Sequence, residues 1–173
     1  MDYETKIITI KNTRFIFDTN FEGKPDEKFG STDRVANVVV PPAMVPDLEA
    51  VGINVKSYPR EPEEGQQITY YVKTKASWRN RYGELKDERF WPNIRLYRGR
   101  NTNPVNLDED SAKTIDEIDI EEISVRLNPW QNQNGGITLY IQDLSVVQNL
   151  HSDPFGDMYG RVDEDEEPPF PMN

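Results

Sequence analysis

The chain has no cysteine among its 173 residues. Disulfides and thiolate metal sites are therefore excluded, and a reducing cytosol is its natural setting. Histidine is nearly absent as well, with His151 the single copy, so a histidine-based nucleophile triad has no support. No phosphate-gripping glycine loop, zinc-ligand spacing or Gly-x-Ser-x-Gly elbow occurs. These absences argue against an enzyme and against any metal or cofactor. Apolar residues make up only 35% of the chain, and no apolar run is long enough to cross a membrane. The N-terminal MDYETKIITIKNTRF lacks a signal-peptide core, so a soluble, non-exported protein is expected. Proline is frequent at 13, which with the low apolar share suggests one compact domain with long loops or an unordered end.

What the chain does have is charge, unevenly placed. The formal net charge is −11, yet Tyr70–Arg100 holds nine of the 20 Lys and Arg and only three acids. That stretch carries +6 and interleaves seven aromatics: Tyr70, Tyr71, Trp78, Tyr82, Phe90, Trp91 and Tyr97. Cations follow a phosphate backbone and aromatic faces stack unpaired bases, so this mixture is what holding a single strand requires. Two strands with merely soluble outer faces account for it equally well, because Tyr and Trp are ordinary strand formers.

Period-two alternation locates the strands. KIITIKNTRFIFD, residues 6–18, reads as a strand broken near Asn12, with Ile8, Ile10, Phe15 and Phe17 inward. A polar loop follows, in which Phe21 and Phe29 are expected to pack underneath. A short strand at Ala36–Val40 leads to a helix near 43–51, started by Pro46 and Asp47 and capped by Gly52. An extended segment covers Asn54–Tyr58. The strand Ile68–Trp78 turns Tyr70, Val72, Thr74 and Ala76 inward and Tyr71, Lys73, Lys75 and Ser77 outward. Trp91–Arg98 is the next strand, with Ile94 and Leu96 inward and Arg95 and Tyr97 outward. If these two strands pair, their outward residues form one surface.

The acidic connector around Asp108, Glu109, Asp110, Asp116 and Glu117 fits no calcium loop and reads as a solvated link. Residues 119–128 form a strand with Ile123, Val125 and Leu127 inward. PWQNQNGG is a hairpin turn marked by Asn134-Gly135, and Trp130 reads as a lid over the core. The return strand from Ile137 puts Leu139 and Ile141 inward and Tyr140 outward. Residues 1–150 thus form one domain. Residues 151–173 make a separate acidic tail, expected to be disordered, with seven acids, one Arg and four prolines from Ser152 onward.

Five to six short antiparallel strands, one short helix and long loops describe a mainly β, small OB-like barrel better than a sandwich. Such barrels keep a helix between their third and fourth strands, whereas the helix read here follows the second.

The segments RFIFDTNFEGKPDEKFGSTDRVANVVV, Gly52–Lys56 (GINVK), the basic-aromatic strands and the hairpin from Ile118 to Val147 together resemble the single-stranded DNA-binding proteins of tailed phages. The resemblance spans about residues 6–149. It implies a barrel that coats single strands without base preference in phage replication or recombination, in the cytoplasm of an infected bacterium. DNA contacts are then expected from Tyr71, Lys73, Lys75, Trp78, Arg79, Arg81, Tyr82, Arg95, Tyr97 and Arg98. The tail is similar in kind to that of bacterial single-stranded DNA-binding proteins. Asp163, Glu164, Asp165, Glu166, Glu167 and Phe170 would recruit replication or recombination proteins, or fold back on the basic surface. Pro171, Met172 and Asn173 follow Phe170, so the terminal Phe carboxylate of that family is absent. The expected partners leave room for a homo-oligomer. The competing reading is a non-catalytic protein–protein module, either a virion assembly factor or an acidic inhibitor of a host DNA-binding protein.

Overall fold

The computed structural model describes residues 6–99 and 102–150. The first apolar alternation forms β1 (Ile8–Thr13) and β2 (Phe15–Asn20), and β3 is Arg34–Val40. A 3-10 turn then leads into α1 (Val45–Ala50), with Pro in its first turn and Gly52 just past its end. Gly52 takes a φ of +89°, and its N–H donates to Glu49 O at 3.0 Å, the left-handed stop that glycine adopts freely. Next come β4 (Lys56–Tyr58), β5 (Thr69–Ala76), β6 (Asn93–Tyr97), β7 (Val105–Leu107) and α2 (Thr114–Glu117). The chain closes on β8 (Ile120–Gln131) and β9 (Ile137–Gln148).

The strands form one sheet in the order β1-β8-β9-β5-β3-β2, with β4 also on β5 and β6 also on β9. The two ends of that order, β1 and β2, are successive halves of one run separated only by Arg14. At their junction the Thr13 hydroxyl donates to Val39 O at 2.7 Å, and Val39 N–H donates to Arg14 O at 3.0 Å. The sheet therefore curls back on itself as a barrel without a continuous closing ladder. Pairing is antiparallel except where β5 and β6 each run parallel to β9. The result is mainly β and OB-like. The helix order also resolves: α2 lies between β5 and β8, the third and fourth barrel strands, and α1 is an addition to the preceding connection.

Inward-facing residues fill the barrel as alternation requires. Val38, Val72, Ile94, Ile123, Leu127 and Leu144 are all buried. Among the described residues Thr74 is the one buried polar residue, and its hydroxyl donates to Ala36 O at 2.8 Å, so its burial leaves no unpaired group.

Several expectations change. Nine strands form among the described residues rather than five or six, because β4, β6 and β7 pair outside the main strand order and the first run divides into β1 and β2. β5 and β6 do not pair with each other; β9 lies between them. β8 continues through Pro129 to Gln131, and Trp130 at its end is 59% exposed rather than a lid. Phe21 is fully buried, whereas Phe29 is 80% exposed. Phe17 does not point inward: it sits at a φ of +65° where the β2–β3 register shifts, and it is half exposed. That conformation costs a non-glycine residue about 1–3 kcal/mol. The β8–β9 ladder shifts between Arg126 and Leu127 of β8, which face Asp143 and Ile141, so Gln142 of β9 is passed over and Leu144 and Val146 turn inward. The expectations for residues 151–173 lie outside the described residues.

Trp78, 2% exposed, belongs to the core. Trp78→Ala should lower the free energy of unfolding by about 3–5 kcal/mol in urea titrations. Tyr82→Ala, on an exposed turn, should change it by no more than about 0.5 kcal/mol.

Candidate nucleic-acid interface

The outer face of β5 carries Tyr71, Lys73 and Lys75, because these alternate with buried Val72, Thr74 and Ala76. Along one edge β3 sets Val39, Asn37 and Val35 opposite them. Along the other edge β5 has two neighbours. Near its start, β4 places Lys56 opposite Tyr71; farther on, β9 places Tyr140 opposite Lys75. The two neighbours leave a groove between them, lined by Lys56, Lys73, Lys75, Ile137 and Thr138.

Beyond Lys75 the groove opens into a cleft of about 640 Å³, lined among others by Tyr140, Ser77, Arg79 and Arg81. Its rim is a turn organised by Asn80, whose side-chain oxygen accepts the N–H groups of Tyr82 and Glu84 at 2.9 and 3.1 Å. Gly83 supplies the left-handed residue, with a φ of +82°. Arg81 and Tyr82 project from this turn, joined by a hydrogen bond of 2.9 Å and with the guanidinium 5.0 Å from the ring centre. Tyr82 is 72% exposed.

Under the cleft lies Arg34, the first residue of β3. Its guanidinium donates to the carbonyls of Phe21 and Glu109 at 2.6 and 2.8 Å and stacks 5.1 Å from the Trp78 ring. The Glu109 carboxylate in turn receives Arg79 through two hydrogen bonds of 2.8 and 3.0 Å. Asp33 meets Lys75 at 3.0 Å. The Lys75 ammonium holds the Asp33 carboxyl below its ordinary 3.8, against a smaller opposing effect of burial.

The structure therefore gathers Tyr71, Lys73, Lys75, Arg79, Arg81 and Tyr82 along one groove and its rim. Trp78 is the correction: its ring is buried beneath Arg34, so it offers no face to a base. Arg95 and Tyr97 are outward on β6, but they pair with Ser145 and Val147 of β9. Arg95 thus lies five β9 positions beyond the Lys75 contact, about 17 Å at the usual strand rise. Arg98 follows in an exposed bend. These three lie apart from the groove. Lys56 and Tyr140 are groove residues that sequence reasoning did not select. Tyr140 alternates outward on its strand, and Lys56 ends the Gly52–Lys56 motif, so both signals were present.

The acidic connector also acquires a definite role. The Asp116 carboxylate accepts the Thr19 hydroxyl at 2.6 Å and the N–H groups of Phe21 and Glu22, both at 2.8 Å. It ties the loop after β2 to α2 rather than being simply solvated. Among the described residues no group of His, Cys, Asp and Glu is placed to hold a metal ion. No helix among them is long and apolar enough to cross a membrane.

An OB-like domain with a basic, aromatic-bearing outer groove is the class of protein that this fold and face define. The chain belongs to the phage ssDNA-binding domain family, whose family model spans residues 2–168. Two solved structures are similar in fold. One is the single-stranded DNA-binding protein from bacteriophage Enc34 with a C-terminal truncation, at 15% identity and a TM-score of 0.50, covering 83% of this chain and 86% of that one. The other is the bacteriophage Enc34 protein in complex with ssDNA, at 13% identity and a TM-score of 0.49, covering 83% and 86%. No curated protein matches the chain.

The Asp33–Lys75 pair gives a pH prediction. Because the folded carboxyl is depressed, its contribution to stability is present above pH 3.8 and is lost as pH falls through the lower folded value. In a carboxyl NMR titration, Lys75→Met should move the Asp33 midpoint upward. An unmoved midpoint would mean the pair is not formed in solution.

Proposed function

We propose that the protein is a non-catalytic, sequence-independent single-stranded DNA-binding protein that coats strands during phage replication or recombination in the host cytoplasm. The observation that carries this reading is the outward row Tyr71, Lys73 and Lys75, flanked by Lys56 and Tyr140. Family membership supports it independently. Lysines along a groove neutralise successive phosphates, and tyrosines stack on any base, so strength comes without sequence choice. Unpaired bases suit the groove better than a duplex, whose bases are already stacked on one another.

Fluorescence anisotropy with labelled dT oligonucleotides at several salt concentrations tests this. Neutralising about five phosphates predicts a slope of log affinity on log salt of roughly −3 to −4. Replacing both Lys73 and Lys75 by Gln should shrink that slope by about 1.4. Absence of single-strand binding at low salt would sink the proposal.

We further assign the acidic tail, with Asp163, Glu164, Asp165, Glu166, Glu167 and Phe170, to recruiting replication or recombination proteins and to competing with DNA for the groove. The tail carries −6 of the net −11, opposite in sign to the groove. Deleting residues 152–173 should tighten DNA binding most at low salt, where charges are least screened. An unchanged affinity would remove the competing role.

A further inference from the structure

We propose that Phe17, Tyr58 and Tyr71 form a base-stacking platform for single-stranded DNA at the opposite end of the groove from Arg81 and Tyr82. This rests on the function proposed above.

Phe17 comes from β2, Tyr58 from β4 and Tyr71 from β5, yet their rings meet outside the barrel. The Phe17 ring stands edge-on to Tyr58 at 5.2 Å and to Tyr71 at 5.4 Å, with interplanar angles of 85° and 84°. Phe17 is 50% exposed and Tyr58 is 55% exposed. An exposed aromatic cluster contributes little to the core, and such patches mark contact surfaces. The backbone points the same way. Phe17 occupies the left-handed region at +65°, where glycine or asparagine is the usual choice. The strained backbone turns a large ring out of the sheet into solvent. The ring's contacts are with two other outward-facing aromatics rather than with the core, and strain kept for a surface cluster points to function.

Charge decides what the platform receives. Lys56 is the direct partner of Tyr71 across the β4–β5 ladder, and Lys73 follows Tyr71 on the same face of β5. An occupant must therefore present flat unsaturated faces together with negative charge at short intervals, as unpaired nucleotides do. Tyr71 to Lys75 covers four residues, about 13 Å, so the platform and the Arg81–Tyr82 turn would engage different nucleotides of one strand.

The test uses the full chain with Phe17→Gly and Tyr58→Ala, singly and combined, and dT oligonucleotides as the probe. Phe17→Gly relieves the left-handed backbone, so its melting temperature should stay level or rise while DNA affinity falls. A lost stacking partner should weaken binding by roughly 5- to 150-fold per base. The salt slope should stay unchanged, because no cation is removed. The Lys73→Gln/Lys75→Gln protein is the contrast, expected to lose slope. If the double aromatic variant binds dT like the wild type while the lysine variant is weakened, the platform is wrong and the groove survives. Loss of self-association with unchanged DNA affinity would assign the rings to an interface between copies and overturn the proposal. If the wild type binds no single strand, the functional reading and the platform fall together.

Discussion

The stacking of Arg34 on Trp78 is the contact on which the rest of the groove depends. Arg34 sits at the inward-facing start of β3, where alternation would place another apolar residue. A half-buried cation there is tolerated because its donors are used: Phe21 O, Glu109 O and the nearby Glu109 carboxylate. A planar guanidinium can serve a ring face and two carbonyls at once, which a lysine cannot. This cation ties together the loop after β2, the end of β5 and the acidic connector. Through Glu109 it also sets the position of Arg79 on the rim. Burial of one arginine thus orders the placement of another.

The groove follows from one feature of the sheet. β5 gives its second edge to two partners in turn, β4 and then β9. Their divergence leaves the lysines of β5 lining a channel instead of being covered by a neighbouring strand. Tyr140 enters because β9 runs parallel to β5 in that register, and Lys56 enters because Gly52 ends α1 and releases the chain into β4. Charge follows the same division. The groove and its rim are cationic, while Asp33 and Glu109 pair with Lys75 and Arg79 at 3.0 and 2.8 Å. An anionic ligand would compete with those carboxylates for the two cations.

Much of this was legible in the residues. Alternation assigned the faces of β5, β6 and β8 correctly, because each has one dry side and the period is two. Asn134-Gly135 marked the terminal hairpin. Pairing was not legible: alternation says which face a residue takes, but not which strand lies beside it, so a β5–β6 pairing stays conditional in the sequence, and β9 divides the two strands. Trp78 illustrates a second limit. It continues the β5 alternation inward, yet it adjoins basic residues that suggested a ligand. Phe17 escaped because a left-handed residue breaks the period exactly where the pattern is being counted. Asp116 escaped because its three partners lie almost a hundred positions away in the chain.

The central claim is that the outer face of β5 and its fork with β4 and β9 receive single-stranded DNA. An NMR titration of the labelled full chain with short dT oligonucleotides tests it most directly. The account predicts the largest shifts at Tyr71, Lys73, Lys75, Lys56 and Tyr140, with smaller changes on the β1–α1 side around Ile8 and Met44. Shifts concentrated on that β1–α1 side, with Lys73 and Tyr140 unmoved, would contradict it.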